Sequence, residues 1–471
     1  MRSDESLESA YPDLGKVTLA TQVITSELSQ ARVRNIILLL AASVALMMTG
    51  FGIIMPVFAR RLTELGSGVE TMGWMTMSFA LAQFVAAPAM GSLADRIGRR
   101  PLVLIALAAY VATNIGYLLA LSPGAFILIR AAGGLFTAGL FPAVMGIVVD
   151  LIPEERRARW VGVVMGSYGA GLVFGPVVGG ILYDGWGFAA PFVASAVMAG
   201  IALVGAAIQV PETRTRETRW REELEHRRTA KEPSAQAEGI RESLPRPLYL
   251  FGMLLFLDFI SSFSLAFVEP QMVFYVYDEL GWSTVQFGLI VGTYGLAMML
   301  GQIGLGQMSD KYGRKPVIVA GVLLNATLYT GMVYITSFSL MMPVSILAGL
   351  GAALAAPALS VFYLDITPKQ HRSRVVGIKG SAASLGGVAG PLLVAVISDF
   401  TTPKGIFGIA GVFMIAGAAL AFILLREPHH AAKQMDGLAW EVSHKRSMAA
   451  QASLRGIVLR ATVARRARTV S

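Results

Sequence analysis

Long apolar stretches separated by short charged breaks recur along the whole chain, and few folds accept that pattern. Runs such as Asn35 to Phe58 and Leu102 to Leu121 reach the roughly 20 apolar residues that a helix needs to cross a bilayer core. In lipid every backbone N–H and C=O must find its partner inside the segment, so these runs are read as helices. The polar–apolar alternation of a membrane barrel is absent. Charged residues make up 15% and hydrophobic residues 55% of the sequence, and the mean hydropathy is +0.61. A soluble domain carries about 25% charged residues, so this chain cannot clothe a water-facing surface. Its 471 residues would suggest about three soluble domains by length alone; the apolar runs point to a polytopic, all-α membrane protein instead.

Reading apolar runs against charged breaks gives twelve spans. Six lie at 35–58, 71–91, 101–121, 124–148, 160–183 and 188–210, and six at 247–277, 284–308, 316–336, 340–364, 374–398 and 405–426. That division leaves an N-terminal tail at 1–34, six-helix bundles at 35–210 and 247–426, a linker at 211–246 and a C-terminal tail at 427–471. The second bundle repeats the first. Gly91-Ser-Leu-Ala-Asp95-Arg-Ile-Gly98-Arg99-Arg100-Pro101 returns as Gly306-Gln-Met-Ser-Asp310-Lys-Tyr-Gly313-Arg314-Lys315-Pro316, an offset of 310 − 95 = 215. Asp150 and Asp365, Arg159 and Arg374, Gly175-Pro176 and Gly390-Pro391, and Asp184 and Asp399 keep the same offset. Internal repetition of this kind marks two pseudo-symmetric halves.

Loop charge sets the expected orientation. One set of short loops holds Arg96, Arg99 and Arg100, then Arg156, Arg157 and Arg159, then Lys311, Arg314 and Lys315, then Lys369, Arg372 and Arg374; the opposite set has only Arg60, Arg61 and Lys404. The positive-inside rule places the first set, and both termini, in the cytoplasm. The segment 1–34 lacks the basic-then-apolar order of a cleaved signal peptide, so the first span is expected to be retained in a plasma (inner) membrane. The net charge of +9 is explained by these loops and by a basic tail suited to anionic lipid, without nucleic acid. With no cysteine and five scattered histidines, no thiolate metal site or disulfide framework is available. No G-x-x-x-x-G-K-[ST] phosphate loop is present, so ATP is not the direct energy source.

Twelve spans in two halves, with G-x-x-x-D-x-x-G-R-R/K-P after the second span of each, resemble the major facilitator superfamily from about Asn35 to Arg426. Apart from the resemblance, Gly91 and Gly306 permit close helix approach, Gly98 and Gly313 suit turns with positive φ, and Asp150 or Asp365 can pair with Arg99 or Arg314. The resemblance implies that Gly91, Asp95, Gly98, Arg99, Arg100 and Asp150, with Gly306, Asp310, Gly313, Arg314, Lys315 and Asp365, form a cytoplasmic gate that latches the outward-facing state. In the fifth span, Gly162, Gly171, Gly175, Pro176, Gly179 and Gly180 fit G-x(8)-G-x(3)-G-P-x-x-G-G, which resembles the antiporter motif of the drug:proton branches. Small residues four apart let helices pack backbone to backbone. In the second half Val394 and Ala395 replace the closing glycine pair.

Ionisable residues inside spans are functional candidates by default. Arg130 matches the superfamily's fourth-span arginine, implicated in proton coupling, though its stem could snorkel to an interface. Asp258 and Glu269 lie in the seventh span, eleven residues or about three helical turns apart and so on nearly one face. Asp258, about 14 Å into the helix at 1.5 Å per residue, is placed first as the coupling acid because it is nearest the bilayer middle. Glu269 is second, since it could already lie among headgroups. Lys379, about 7 Å along its helix from Arg374, is read as snorkelling to the cytoplasmic interface. The expected function is export of amphipathic organic compounds or drugs in exchange for protons, by alternating access. The partners are a small-molecule substrate, protons and the bilayer, with no cofactor, no metal, no catalytic residues and the chain acting as a monomer. A facilitator moving a specific metabolite (sugar, peptide or organic ion) in either direction, and a non-transporting receptor or scaffold, remain the alternatives.

Overall fold

The computed structural model describes residues 30–213, 244–245, 247–305, 308–368 and 371–426. Gly306, the body of the linker and the tail from 427 onward lie outside these residues. Twelve long helices run in order: α1 Gln30–Glu64, α2 Val69–Ile97, α3 Arg99–Leu119, α4 Pro123–Leu151, α5 Glu154–Trp186, α6 Ala189–Gln209, α7 Leu248–Phe274, α8 Thr284–Leu305, α9 Arg314–Tyr334, α10 Phe338–Asp365, α11 Arg372–Ile397 and α12 Pro403–Leu424. No strand occurs among the described residues. Eleven of the helices are long and apolar enough to cross a membrane. The exception is α2, whose 29 residues suffice in length while Glu70, Thr76, Ser78 and Gln83 dilute its apolarity. It packs between α4 and α11, inside the bundle, where a polar residue costs less than against lipid.

Local chemistry explains the boundaries. Gly98 and Gly313 take φ of 110° and 94°, which an L side chain resists, so the chain breaks there and restarts as α3 and α9. Ser122 caps α4, its Oγ accepting the Ala125 N–H at 3.3 Å ahead of Pro123 in the first turn. The fourth span is not one straight helix: it breaks at Ala138-Gly139 between Pro123–Thr137 and Leu140–Leu151. The seventh continues past Phe274 through a π turn, Tyr275–Glu279.

The 215-residue offset of the sequence returns as repeated contacts. Arg157 Nη2 donates to the Val149 carbonyl at 3.0 Å, and Arg372 Nη2 donates to that of Leu364 at 3.3 Å. Within each half α5 packs along α1, and α11 along α7. Between the halves α5 meets α8 and α11 meets α2, and this seam is repeated too. A Cβ placed on Gly288 would lie 2.6 Å from the Pro176 carbonyl oxygen; one placed on Gly73 would lie 2.9 Å from that of Pro391.

The seam closes at one end only. At the face opposite the basic loops, Val57, Phe58, Leu62, Tyr117, Phe126 and Phe192 of the first half join the second half's residues in one continuous apolar core. Toward the basic loops the first half has a core of its own, built from residues such as Ile37, Val103, Val144 and Ile147. Glycines along the basic-side part of the seam helices, Gly162, Gly166 and Gly169 on α5, Gly304 on α8 and Gly377, Gly380 and Gly387 on α11, would meet nothing within 4 Å if given a Cβ. The halves are therefore parted on the basic side.

Candidate functional site

Arg130, on the first part of α4, is 6% exposed and has its guanidinium carbon 4.4 Å from the centroid of the Phe79 ring on α2. It lines a small cavity with Met47, Met48, Phe79, Tyr110 and Tyr117. Its stem does not snorkel: the guanidinium stays inside, where a ring face and phenol groups offset part of the cost of burying charge. The position repeated in the second half is Ser345, fully buried, whose hydroxyl donates to the Ile290 carbonyl at 2.6 Å. Only one half carries the cation.

Glu269, on α7 of the other half, is partly buried, and Arg130 is the cation whose charge acts on it. The carboxylate and the guanidinium thus belong to opposite halves.

Asp258 has different company. Lys379 of α11 points to it, with Nζ 4.0 Å from Asp258 Oδ1, and Nζ donates to Ser360 Oγ on α10 at 2.6 Å. The same ammonium lies 5.6 Å from the Tyr363 ring centroid. The Tyr363 hydroxyl lies beside Asp258 in the same buried cluster. In place of the snorkelling expected of it, Lys379 has partners within its own half: its Nζ sits beside a carboxylate of α7 and a hydroxyl of α10.

The fifth-span glycines divide by partner. Gly171, Gly175 and Gly179 press on α1, where added Cβ atoms would collide with the Ala45 carbonyl, with that of Thr49 at 2.5 Å and with Ile53 Cα at 2.8 Å. Gly180 presses instead on α8, where an added Cβ would lie 2.8 Å from the Thr284 carbonyl oxygen, and Pro176 touches both α1 and α8. Gly162, placed in the same packing set by its spacing, has open space around it; its end of α5 is on the parted side.

On the basic side Arg99 forms an ion pair with Asp150 and Arg314 one with Asp365, the latter at 3.0 Å. Arg314 also bonds Ser309 at 3.0 Å and pairs with Asp310. Arg100 donates to the Ala207 carbonyl at 2.6 Å. Each pair lies within one half and is made while the halves are parted, so Asp150 and Asp365 tie the end of one helix to the start of another rather than one half to the other. Lys315 lies over the Phe422 ring at 4.9 Å. Gly91 and Asp95 are described only as positions on α2. No group of three or more potential metal ligands occurs among the described residues.

The family model described as the Major Facilitator Superfamily matches residues 40–265 and 254–456. The chain belongs to that superfamily. This facilitator is 28% identical to the class C tetracycline resistance protein of Escherichia coli, over 83% of this chain and 96% of that protein. It is 24% identical to multidrug resistance protein 2 of Bacillus subtilis, over 85% and 97%. Among solved structures, a bacterial homolog of the human lysosomal transporter Spinster aligns with a TM-score of 0.67 at 16% identity, covering 84% of this chain and 97% of that one. The chain is thus a multi-pass membrane transporter of small molecules, not an enzyme.

Two features of this facilitator escape a reading of its sequence. One is the Lys379 partnership, which a lone lysine near a helix end does not announce. The other is Arg60, at the closed end of the seam, whose guanidinium carbon lies 4.5 Å from the Tyr277 ring centroid across the halves and 6.0 Å from that of Tyr183. Asp184 adds a second tie there, its Oδ2 accepting the Val285 N–H at 3.3 Å. Charge outside the basic loops is scarce in the sequence, and that scarcity was the available signal.

Proposed function

We propose that this protein exports amphipathic organic compounds or drugs from the cytoplasm in exchange for protons. The observation that supports the reading is a partly buried acid in a span of one half, Glu269, under the electrostatic influence of a buried cation of the other half, Arg130. An acid so placed can bind a proton when the site opens one way and release it when it opens the other, with Arg130 as the charge that favours release. Its relatives among tetracycline and multidrug resistance proteins support a drug-like cargo. Glu269 takes precedence over Asp258 in this proposal, because its cation, Arg130, belongs to the opposite half, whereas Lys379 lies in the same half as Asp258. The parted face, both termini, the linker 211–246 and the tail 427–471 are proposed to lie on the cytoplasmic side of a cell membrane, a reading that the basic loops support. The duplicated Asp95 and Asp310 loops are proposed to meet the opposite half when that face closes.

The test is transport into inverted membrane vesicles under an imposed pH gradient, with ethidium as cargo. Accumulation that collapses on adding a protonophore is the expected result. Accumulation indifferent to the protonophore sinks the exchange with protons, and none at all with a chemically varied cargo panel sinks the export reading.

A further inference from the structure

The polar cluster of Asp258, Lys379, Ser360 and Tyr363 is not part of the duplicated scaffold. Subtracting 215 from each number leads to Ser43, Val164, Met145 and Val148, none of them charged. The fold is therefore built at the mirrored place without an ion pair. Holding two charges inside a bundle is costly, and a well-packed apolar substitute is often as stable or more so. The pair is also left open. Its N–O separation is 4.0 Å, and Lys379 donates instead to Ser360. A pair built only for stability would close to a direct bond. Access is present: the Lys379 side chain is 23% exposed and Asp258 14%, and Gly377 and Gly380 beside Lys379 face open space on the parted side of the seam.

We propose that Asp258 and Lys379 read the charge of the cargo, and that the site selects amphiphiles carrying an anionic and a cationic group close together. This rests on the export reading above and deepens it. A zwitterion meeting the open pair exchanges one ion pair for two and leaves no charge unmatched. A simple cation meeting it satisfies Asp258 and strands Lys379, which is the expensive outcome for a buried charge. Ser360 and the Tyr363 hydroxyl complete the ligand's hydrogen bonds.

The test needs two cargoes that differ only in charge. Rhodamine B carries a delocalised cation and a free carboxylate, and its ethyl ester is the same chromophore without the carboxylate. Binding of each to the purified full chain is followed by fluorescence anisotropy. Lys379→Met should weaken rhodamine B by about tenfold, the worth of one charge-assisted hydrogen bond, and should strengthen the ester. Lys379→Arg should keep the order of the unmodified protein, with rhodamine B bound more tightly than its ester. Equal weakening of both dyes by Lys379→Met would mean a structural role and overturn the proposal, as would no change in either or failure of the unmodified chain to prefer rhodamine B. Proton-driven ethidium transport is measured separately, so loss of charge selectivity and loss of the export reading are distinct results.

Discussion

Glu269 and Arg130 come from opposite halves, so whatever changes the distance between the halves changes the field each feels. The carboxylate is the member of the couple that can take up and release a proton, since a guanidinium remains protonated. Glu269→Gln keeps the size and removes the titration. Its expected effect is loss of pH-driven accumulation in vesicles, to the level of vesicles without the protein, while exchange of labelled for unlabelled cargo without a gradient persists. Undiminished gradient-driven accumulation at equal protein abundance would remove Glu269 from the coupling. At this scale the sequence was legible in kind and illegible in direction. That Arg130, Asp258 and Glu269 were worth attention followed from charge inside apolar runs, but depth along a helix does not say which neighbour a side chain faces. Lys379 shows the limit: its four-carbon stem reaches either the interface or α7 from the same backbone position, and only the placement of Asp258 and Ser360 decides.

The antiporter-like motif of α5 can be divided at the level of the element. Gly171, Gly175 and Gly179 stand four residues apart and share the face that packs on α1, because four-residue steps stay on one side of a helix. The motif does not define one face: Gly180 turns to α8, and Gly162, nine residues or about two and a half turns before Gly171, points away from α1 into open space. Gly175 and Gly162 should therefore behave differently. Gly175→Leu drives a side chain into the Thr49 carbonyl and Gly52 of α1, an overpacking that costs about 1–3 kcal/mol or more where backbone cannot yield. Gly162→Leu meets open space at its Cβ. Thermal unfolding of the two purified variants should show a lowered midpoint for Gly175→Leu, with loss of coupled export, and a midpoint near that of the unmodified protein for Gly162→Leu. Equal midpoints would mean that contact with α1 does not set the stability of α5.

The molecule as a whole is held in one state by an asymmetric seam, sealed at the face away from the basic loops and parted at the basic side. Carbonyl-to-glycine contacts at Pro176 with Gly288 and Pro391 with Gly73 make the sealed end rigid, but backbone contacts of that kind act at close range and give way together once the helices separate. Arg60 is the tie that can be cut without disturbing them. It reaches from α1 to the Tyr277 ring of the other half, and its Nε is buried without a hydrogen bond, so the ring contact is a principal interaction across the seam there. A partly desolvated cation–π contact is worth about 1 kcal/mol, or roughly a fivefold change in the ratio of two states. Arg60→Gln should move the protein toward the state open at the Arg60 end and closed at the basic side. Because the chain has no cysteine, one introduced residue reports cleanly on that change. Cysteine at Gly169, on the parted stretch of α5, should react more slowly with a maleimide from the basic side once Arg60 is replaced. Cysteine at Val177, whose neighbours now include Gly292 of α8, should react faster from the other side. Both rates must move, and in opposite directions, for Arg60 to be a tie between states; if only the Val177 site speeds up, the substitution has merely frayed the sealed end.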